Sequence, residues 1–235
     1  MKYLETYRLT NLPAKAYYIP DFISDAEEHF LLQKITNAPL SKWTVLSNRR
    51  LQAWPTQLLK GSVLPTTDAL PTWLDDPLVQ RMVSLDIWRQ SPHDRANHCL
   101  INEYEPGQGI MPHEDGDVYH PVVATVSLQD GIVLDIYRKT EDGKREIVYR
   151  IYQEPKSLLI TTEDMYTDYL HGIQDIDVDK SLYRDTVANW DFLSDDTKQR
   201  IELSGGDLKR KRARVSLTFR DVKKVRNLAA FLQMK

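Results

Sequence analysis

Within MPHEDGDVYHP (111–121), His113 and Asp115 stand two positions apart. In an extended segment, side chains at i and i+2 project to the same side, so an imidazole and a carboxylate would converge there with Glu114 turned away. Two ligands rarely hold a metal, and a third must come from elsewhere. Of the other histidines, His171 lies in YLHG, at the end of an expected strand and before a glycine, a suitable place at a sheet rim. Two histidines and one carboxylate on one side of a metal leave three coordination positions open, the arrangement of non-haem Fe(II) sites. Taken alone, His-x-Asp also fits an ordinary hydrogen-bonded loop.

A second set lies near the C-terminal end. In RVSLTFR, Arg214 and Arg220 are six positions apart, so on a strand both guanidinium groups share a face with Ser216 and Thr218. Val215, Leu217 and Phe219 occupy the reverse face. Such a strand either lines a polar cavity or sits at a sheet edge with its arginines paired to surface acids. Arginine suits a carboxylate because its planar fork engages both oxygens. Asn102 and Tyr104, just before Pro106-Gly107, likewise share a face and offer an amide and a phenol as hydrogen-bond donors.

These side chains need a scaffold. Ser24 and Glu27 have capping-box spacing, and the residues that follow read as an amphipathic helix ending before Pro39. Asp76 and Pro77 suit the start of a second helix running through LVQRMVSLDIW. Residues 43–71 read as a long loop, a frequent location for binding surfaces. From residue 97 the pattern turns β-rich: 98–104, 122–128, 132–137, 145–152, 157–162 and 214–220 read as strands. Asp130-Gly131 and EDGK (141–144) read as hairpin turns. Short strands without alternating helices favour an antiparallel sandwich. The expected fold is α+β, a jelly-roll (double-stranded β-helix) core with N-terminal helices packed on it. One domain is expected over 1–235, with helices and substrate-side loops over 1–96 and the core over 97–235. A polar insertion, 173–212, divides that core.

Composition narrows the class. The chain has 235 residues, 41% apolar and 28% charged, long enough to bury a real core. The single cysteine, Cys99, excludes an internal disulfide. No signal-like or membrane-spanning run occurs, so cytoplasm and nucleus are the expected compartments. Net charge is −3, yet residues 209–226 hold nine of the 31 Lys and Arg and one of the 34 Asp and Glu. That basic segment, with Lys209 to Arg212 and Lys223 to Arg226, could attract a polyanion or serve only as a solvated edge.

In chain order the motifs run N-x-Y-x-P-G, H-x-D, H and R-x5-R. This set resembles the AlkB family of Fe(II)- and 2-oxoglutarate-dependent dioxygenases, most clearly in LINEYEPGQGIMPHEDG, YLHGI and RVSLTFR. YYIPDFIS and KWTVLSNRRLQAW extend the likeness towards the N-terminus, and 173–212 is its weakest part. The resemblance implies that His113, Asp115 and His171 ligate Fe(II), with 2-oxoglutarate as cosubstrate and O2 as oxidant. Arg214, assisted by Tyr104, would take the distal carboxylate of 2-oxoglutarate. Asn102 and Arg220 would lie near the chelating end, with Arg220 bracing Asp115. The family often has Asn where this chain has Ser216, so that contact is shortened or bridged by water.

The expected reaction is oxidative demethylation of alkylated nucleic acid, RNA or single-stranded DNA. Trp54, with Arg49 and Arg50 nearby, is a candidate for stacking on an extruded base. Tyr119 and His120 are candidates for the cavity mouth. The alternatives are a protein hydroxylase or demethylase, and an iron-site binding module without turnover. The expected oligomeric state is a monomer.

Overall fold

Alternation along 214–220 dictates the centre of the molecule. In the computed structural model, which describes residues 2–59, 63–65, 68–140 and 142–226, Arg214–Arg220 is a strand in the middle of a seven-stranded antiparallel sheet. In chain order the strands are β1 Ala16–Ile19, β2 Trp43–Leu46, β3 Arg49–Trp54, β4 His98–Tyr104, β5 Ile110–His113, β6 Val122–Leu128, β7 Ile132–Lys139, β8 Arg145–Gln153, β9 Leu158–Thr162, β10 Leu170–Ile173, β11 Val178–Asp179, β12 Leu208–Lys209 and β13 Arg214–Arg220. The large sheet runs β1-β9-β6-β13-β4-β3-β2 and a smaller one runs β5-β10-β7-β8. The α+β class with a double-stranded β-helix core is as expected. Among the described residues, no helix is long and apolar enough to cross a membrane.

Each sheet buries two different faces. On one side of the large sheet, Val215, Leu217 and Phe219 join Leu31, Ile35, Met82 and Trp88 in a core beneath the helical layer. Each such side chain stabilises the fold by roughly 1.5–3 kcal/mol when fully buried. The other side of β13 faces the small sheet across a cavity bordered by a second apolar cluster that includes Leu134, Ile136, Ile151 and Leu159. The register Arg214↔Tyr104 and Ser216↔Asn102 places the two polar motifs side by side.

The helix Asp25–Thr36 forms as its sequence signals require. Ser24 Oγ accepts from the Glu27 amide, and the Glu27 carboxylate accepts from the Ser24 amide. The expected second helix is altered. A helical turn at Thr72–Leu74 precedes a wide turn over Asp75–Val79, and Gln80–Ser84 is helical. Asp76 is non-helical (φ −112°, ψ 120°), because a residue before proline is pushed from the helical region. The helix stops well before Trp88, where Asp86 has φ 59°.

Three other expectations are corrected. Residues 43–54 are not loop: β2 and β3 pair as a hairpin (Trp43↔Gln52) and β3 joins the sheet edge through β4. Three of the seven strands of that sheet therefore come from the first 96 residues. Asp130-Gly131 is not a hairpin turn but a crossover from β6 in one sheet to β7 in the other. A side chain at Gly131 would collide with the Tyr152 ring, so only glycine fits there. The second turn is a hairpin, closed by Thr140 N–H to Lys144 O at 2.9 Å with Gly143 at φ 81°.

The 173–212 segment packs on the outer face of the small sheet. The β11–β12 ribbon closes its base, and Leu182, Val187, Trp190 and Ile201 form a core with Val133 and Tyr152. Asn189 both donates to and accepts from the Tyr152 backbone, at 2.8 and 2.9 Å.

Candidate metal and cosubstrate site

The two sheets enclose a cavity of about 260 Å³ whose lining draws on both. From the small sheet come His113 at the end of β5 and His171 on β10, paired directly in the register His171↔His113. Their rings lie 4.4 Å apart between centroids. Asp115 follows β5, with one oxygen 3.9 Å from His171 Nε2. One ligand atom from each of the three residues lies within 4.8 Å of the others.

The electrostatics of this cluster suit a cation. His113 Nδ1 donates to the Met111 carbonyl at 2.9 Å, which fixes the tautomer and leaves the Nε2 lone pair free. Burial pushes His171 down to about 4, against the pull of Asp115, so its ring is neutral at neutral pH. Burial alone would push Asp115 up, but Arg220, His171 and His113 outweigh it and hold its carboxyl below the usual value. Arg220 donates to Asp115 through Nη2, and its guanidinium lies 4.9 Å over the Tyr119 ring. Two imidazoles and a carboxylate held ionised fit a divalent cation.

The far end of the cavity suits an anion. Arg214 is 3% exposed, and among the described residues no carboxylate pairs with it. Its Nη2 donates only to neutral oxygens, Ser127 Oγ at 2.7 Å and Gln153 Oε1 at 3.1 Å, and its buried Nε has no partner. Burial pushes its pKa down to about 10, opposed by Tyr104, whose ring centroid lies 5.9 Å away. An un-neutralised buried guanidinium is costly, and a ligand carboxylate would relieve it.

The structure brings together ten of the thirteen candidate residues: His113, Asp115, His171, Asn102, Tyr104, Arg214, Ser216, Arg220, Arg49 and Tyr119 all line the cavity. Arg49 Nε donates to Asn102 Oδ1 at 3.2 Å. Three candidates lie elsewhere. Arg50, one residue on in the strand, turns to the opposite face, where it pairs with Glu103 at 2.6 Å and stacks on Trp43. Trp54 packs edge-on against Trp73 at 5.5 Å, with the Lys42 ammonium over its ring, so it anchors the helical layer rather than the mouth. His120 does not line the cavity; its amide donates to the Asp221 carbonyl.

Other lining residues were not anticipated. Gln153 is buried and contacts Arg214 directly. Its signal is parity: in REIVYRIYQ it shares a face with Ile151, which belongs to the inner core.

A model of the 2OG-Fe(II) oxygenase superfamily matches residues 15–220. The chain belongs to that superfamily. Within it, a Danio rerio protein named "Probable RNA/DNA demethylase ALKBH6" is 39% identical over 242 residues, covering 99% of this chain and 96% of its own length. The Xenopus tropicalis tRNA (carboxymethyluridine(34)-5-O)-methyltransferase alkbh8 is 25% identical over 91% of this chain, but only 32% of that protein is matched. Among solved structures, OsALKBH1 superposes with a TM-score of 0.53 over 90% of this chain and all of its own, at 15% identity. A Burkholderia pseudomallei 2OG-Fe(II) oxygenase gives 0.50 over 90% of this chain and 88% of its own, at 10% identity. At those identities the structures speak for the fold, and the Danio rerio relative agrees with the AlkB resemblance. The chain is an Fe(II)- and 2-oxoglutarate-dependent dioxygenase of the AlkB family, and the family uses Fe(II), 2-oxoglutarate and O2.

Proposed function

We propose that this dioxygenase removes alkyl groups from unpaired bases of RNA or single-stranded DNA. The observation that carries the reading is the cavity itself: a triad suited to a cation at one end and an un-neutralised arginine at the other. The relative's printed name supplies the substrate class. His113, Asp115 and His171 would hold Fe(II), and Arg214 would hold the distal carboxylate of 2-oxoglutarate with Ser127 and Gln153 fixing its orientation. When bound, Fe(II) with 2-oxoglutarate and O2 supplies hydroxylation of a C–H bond, and a hydroxylated N-methyl group is lost as formaldehyde.

The chain's own part is positioning and charge. Arg220 keeps Asp115 ionised and oriented. Asn102, Tyr104 and Ser216 line the stretch between the two ends. Arg49, reaching in from the β2–β3 hairpin, adds a cation beside Asn102 where a substrate would approach. The apolar residues Leu100, Ile110, Leu134 and Leu159 keep that stretch dry. The test compares iron-dependent product masses across methylated RNA, single-stranded DNA and peptide pools. Loss of 14 mass units (one CH2) from a nucleic-acid pool alone is the expected result, and change confined to peptides would overturn the reading.

A further inference from the structure

We infer that two cationic arms bracket the metal-ligand loop and form the track for a single-stranded polyanion. This rests on the nucleic-acid reading above and names where the strand would lie. One arm is the β7–β8 hairpin. Arg145 Nη1 donates to the Pro112 carbonyl at 3.1 Å, directly before His113. Arg138 donates to the Tyr169 hydroxyl at 2.8 Å and lies 5.4 Å over that ring. Both side chains are exposed, and among the described residues neither guanidinium enters an ion pair. Neutral oxygens hold both in place.

The other arm is the segment after β13. Lys223 Nζ donates to the Asp117 carbonyl at 2.9 Å, two residues beyond Asp115, and its amide donates to the Val118 carbonyl at 3.0 Å. Lys224 follows it on the exposed surface. The two anchoring carbonyls, of Pro112 and Asp117, lie on either side of the His113–Asp115 pair. Both arms are therefore tied to the metal-ligand loop, one just before His113 and one just after Asp115 in the chain. The loop itself carries the exposed Asp117, which repels phosphate from its centre, while Glu114 is paired with Lys139 at 2.7 Å. Backbone phosphates would be gripped at the sides, leaving the base free to enter between them.

The structure also narrows the original basic segment. Arg210 is 4% exposed and committed to Asp179 at 2.8 Å, so it cannot meet a phosphate.

The probe is a fluorescein-labelled twelve-nucleotide oligouridylate, and separately oligothymidylate, titrated with the full-length chain at several salt concentrations. Variant pairs Arg138→Gln with Arg145→Gln, and Lys223→Gln with Lys224→Gln, are compared with a pair on the outer segment, Arg184→Gln with Arg200→Gln. Melting temperatures matching the parent show that each pair folds. Each phosphate contact contributes about 0.7 to the salt slope of a single strand, so each track pair lowers the slope by about 1.4. The same relation gives a loss of about 25-fold in affinity at 0.1 M salt. The outer pair changes neither. Parent-like binding by both track pairs, an equal loss in the outer pair, or equally tight binding of an oligoglutamate peptide would overturn the track while leaving the demethylase reading intact. Failure of the parent to bind either oligonucleotide would overturn both.

Discussion

Arg214 and Gln153 meet at 3.1 Å in the wall of the cavity, a buried cation against a neutral amide. The amide orients the guanidinium without discharging it. Gln153→Glu would keep the shape and place a carboxylate where the ligand's should go. The variant should fold at least as well as the parent yet bind 2-oxoglutarate roughly 10- to 100-fold more weakly, the value of a charged hydrogen bond of about 1.5–3 kcal/mol. Isothermal titration with 2-oxoglutarate in the presence of Mn(II) reads this directly.

Arg214→Ala should go further. Truncating one side of a buried charge pair costs about 2–5 kcal/mol, so cosubstrate affinity should fall by roughly 30-fold or more. Metal affinity should stay close to that of the parent, because the triad lies at the other end. Equal cosubstrate binding by parent and variant would mean that β13 has been assigned the wrong role.

Neighbouring carboxylates should behave differently. Asp115→Ala should abolish tight Fe(II) or Mn(II) binding and turnover, since it removes one of three ligands. Glu114 is half exposed and pairs with Lys139 at 2.7 Å, so Glu114→Ala should leave metal affinity within about twofold. A metal titration followed by calorimetry distinguishes them.

Arg210 and Lys209 are adjacent and both basic, yet should report on different things. Arg210→Ala leaves Asp179 buried and unpaired and should cost about 3–5 kcal/mol of stability. Lys209 is exposed, and Lys209→Ala should change stability by less than about 0.5 kcal/mol. Urea unfolding of the two variants is the measurement.

His98 makes stability depend on pH. Burial pushes its pKa down to about 4, with Arg220 adding to the effect, while an unfolded histidine titrates near 6.5. The unfolded chain therefore takes up this proton first as pH falls. The contribution is fully present above about 6.5 and is lost progressively towards pH 4, amounting to about 3 kcal/mol in all. His98→Gln retains a donor for the Thr56 carbonyl, 3.2 Å from His98 Nε2, and should flatten the stability curve between those pH values.

What could be read from the chain follows from how far apart the interacting residues lie. Parity along Arg214–Arg220 and Asn102–Tyr104 named the polar face correctly, because side-chain alternation is a local property. The turn at Asp130-Gly131 was misread because turn chemistry does not say whether the flanking strands pair with each other. Arg210 looked like surface because its partner, Asp179, is 31 residues away. Trp54 looked like a loop aromatic because the β2–β3 hairpin is an edge element, held by β4 some fifty residues later. Gln153 was overlooked for a related reason: a polar residue closing a strand usually faces water, and only the opposing sheet reveals otherwise.

One strand carries two of the three arginines that line the cavity, and its rungs with β4 and β6 hold them in phase. A slip of a single residue would swing both cations into the oily layer under the helices and turn Val215, Leu217 and Phe219 outward to the ligand. Mispaired molecules would thus be catalytically silent as well as unstable, so cosubstrate binding and the folding of the sheet depend on the same register.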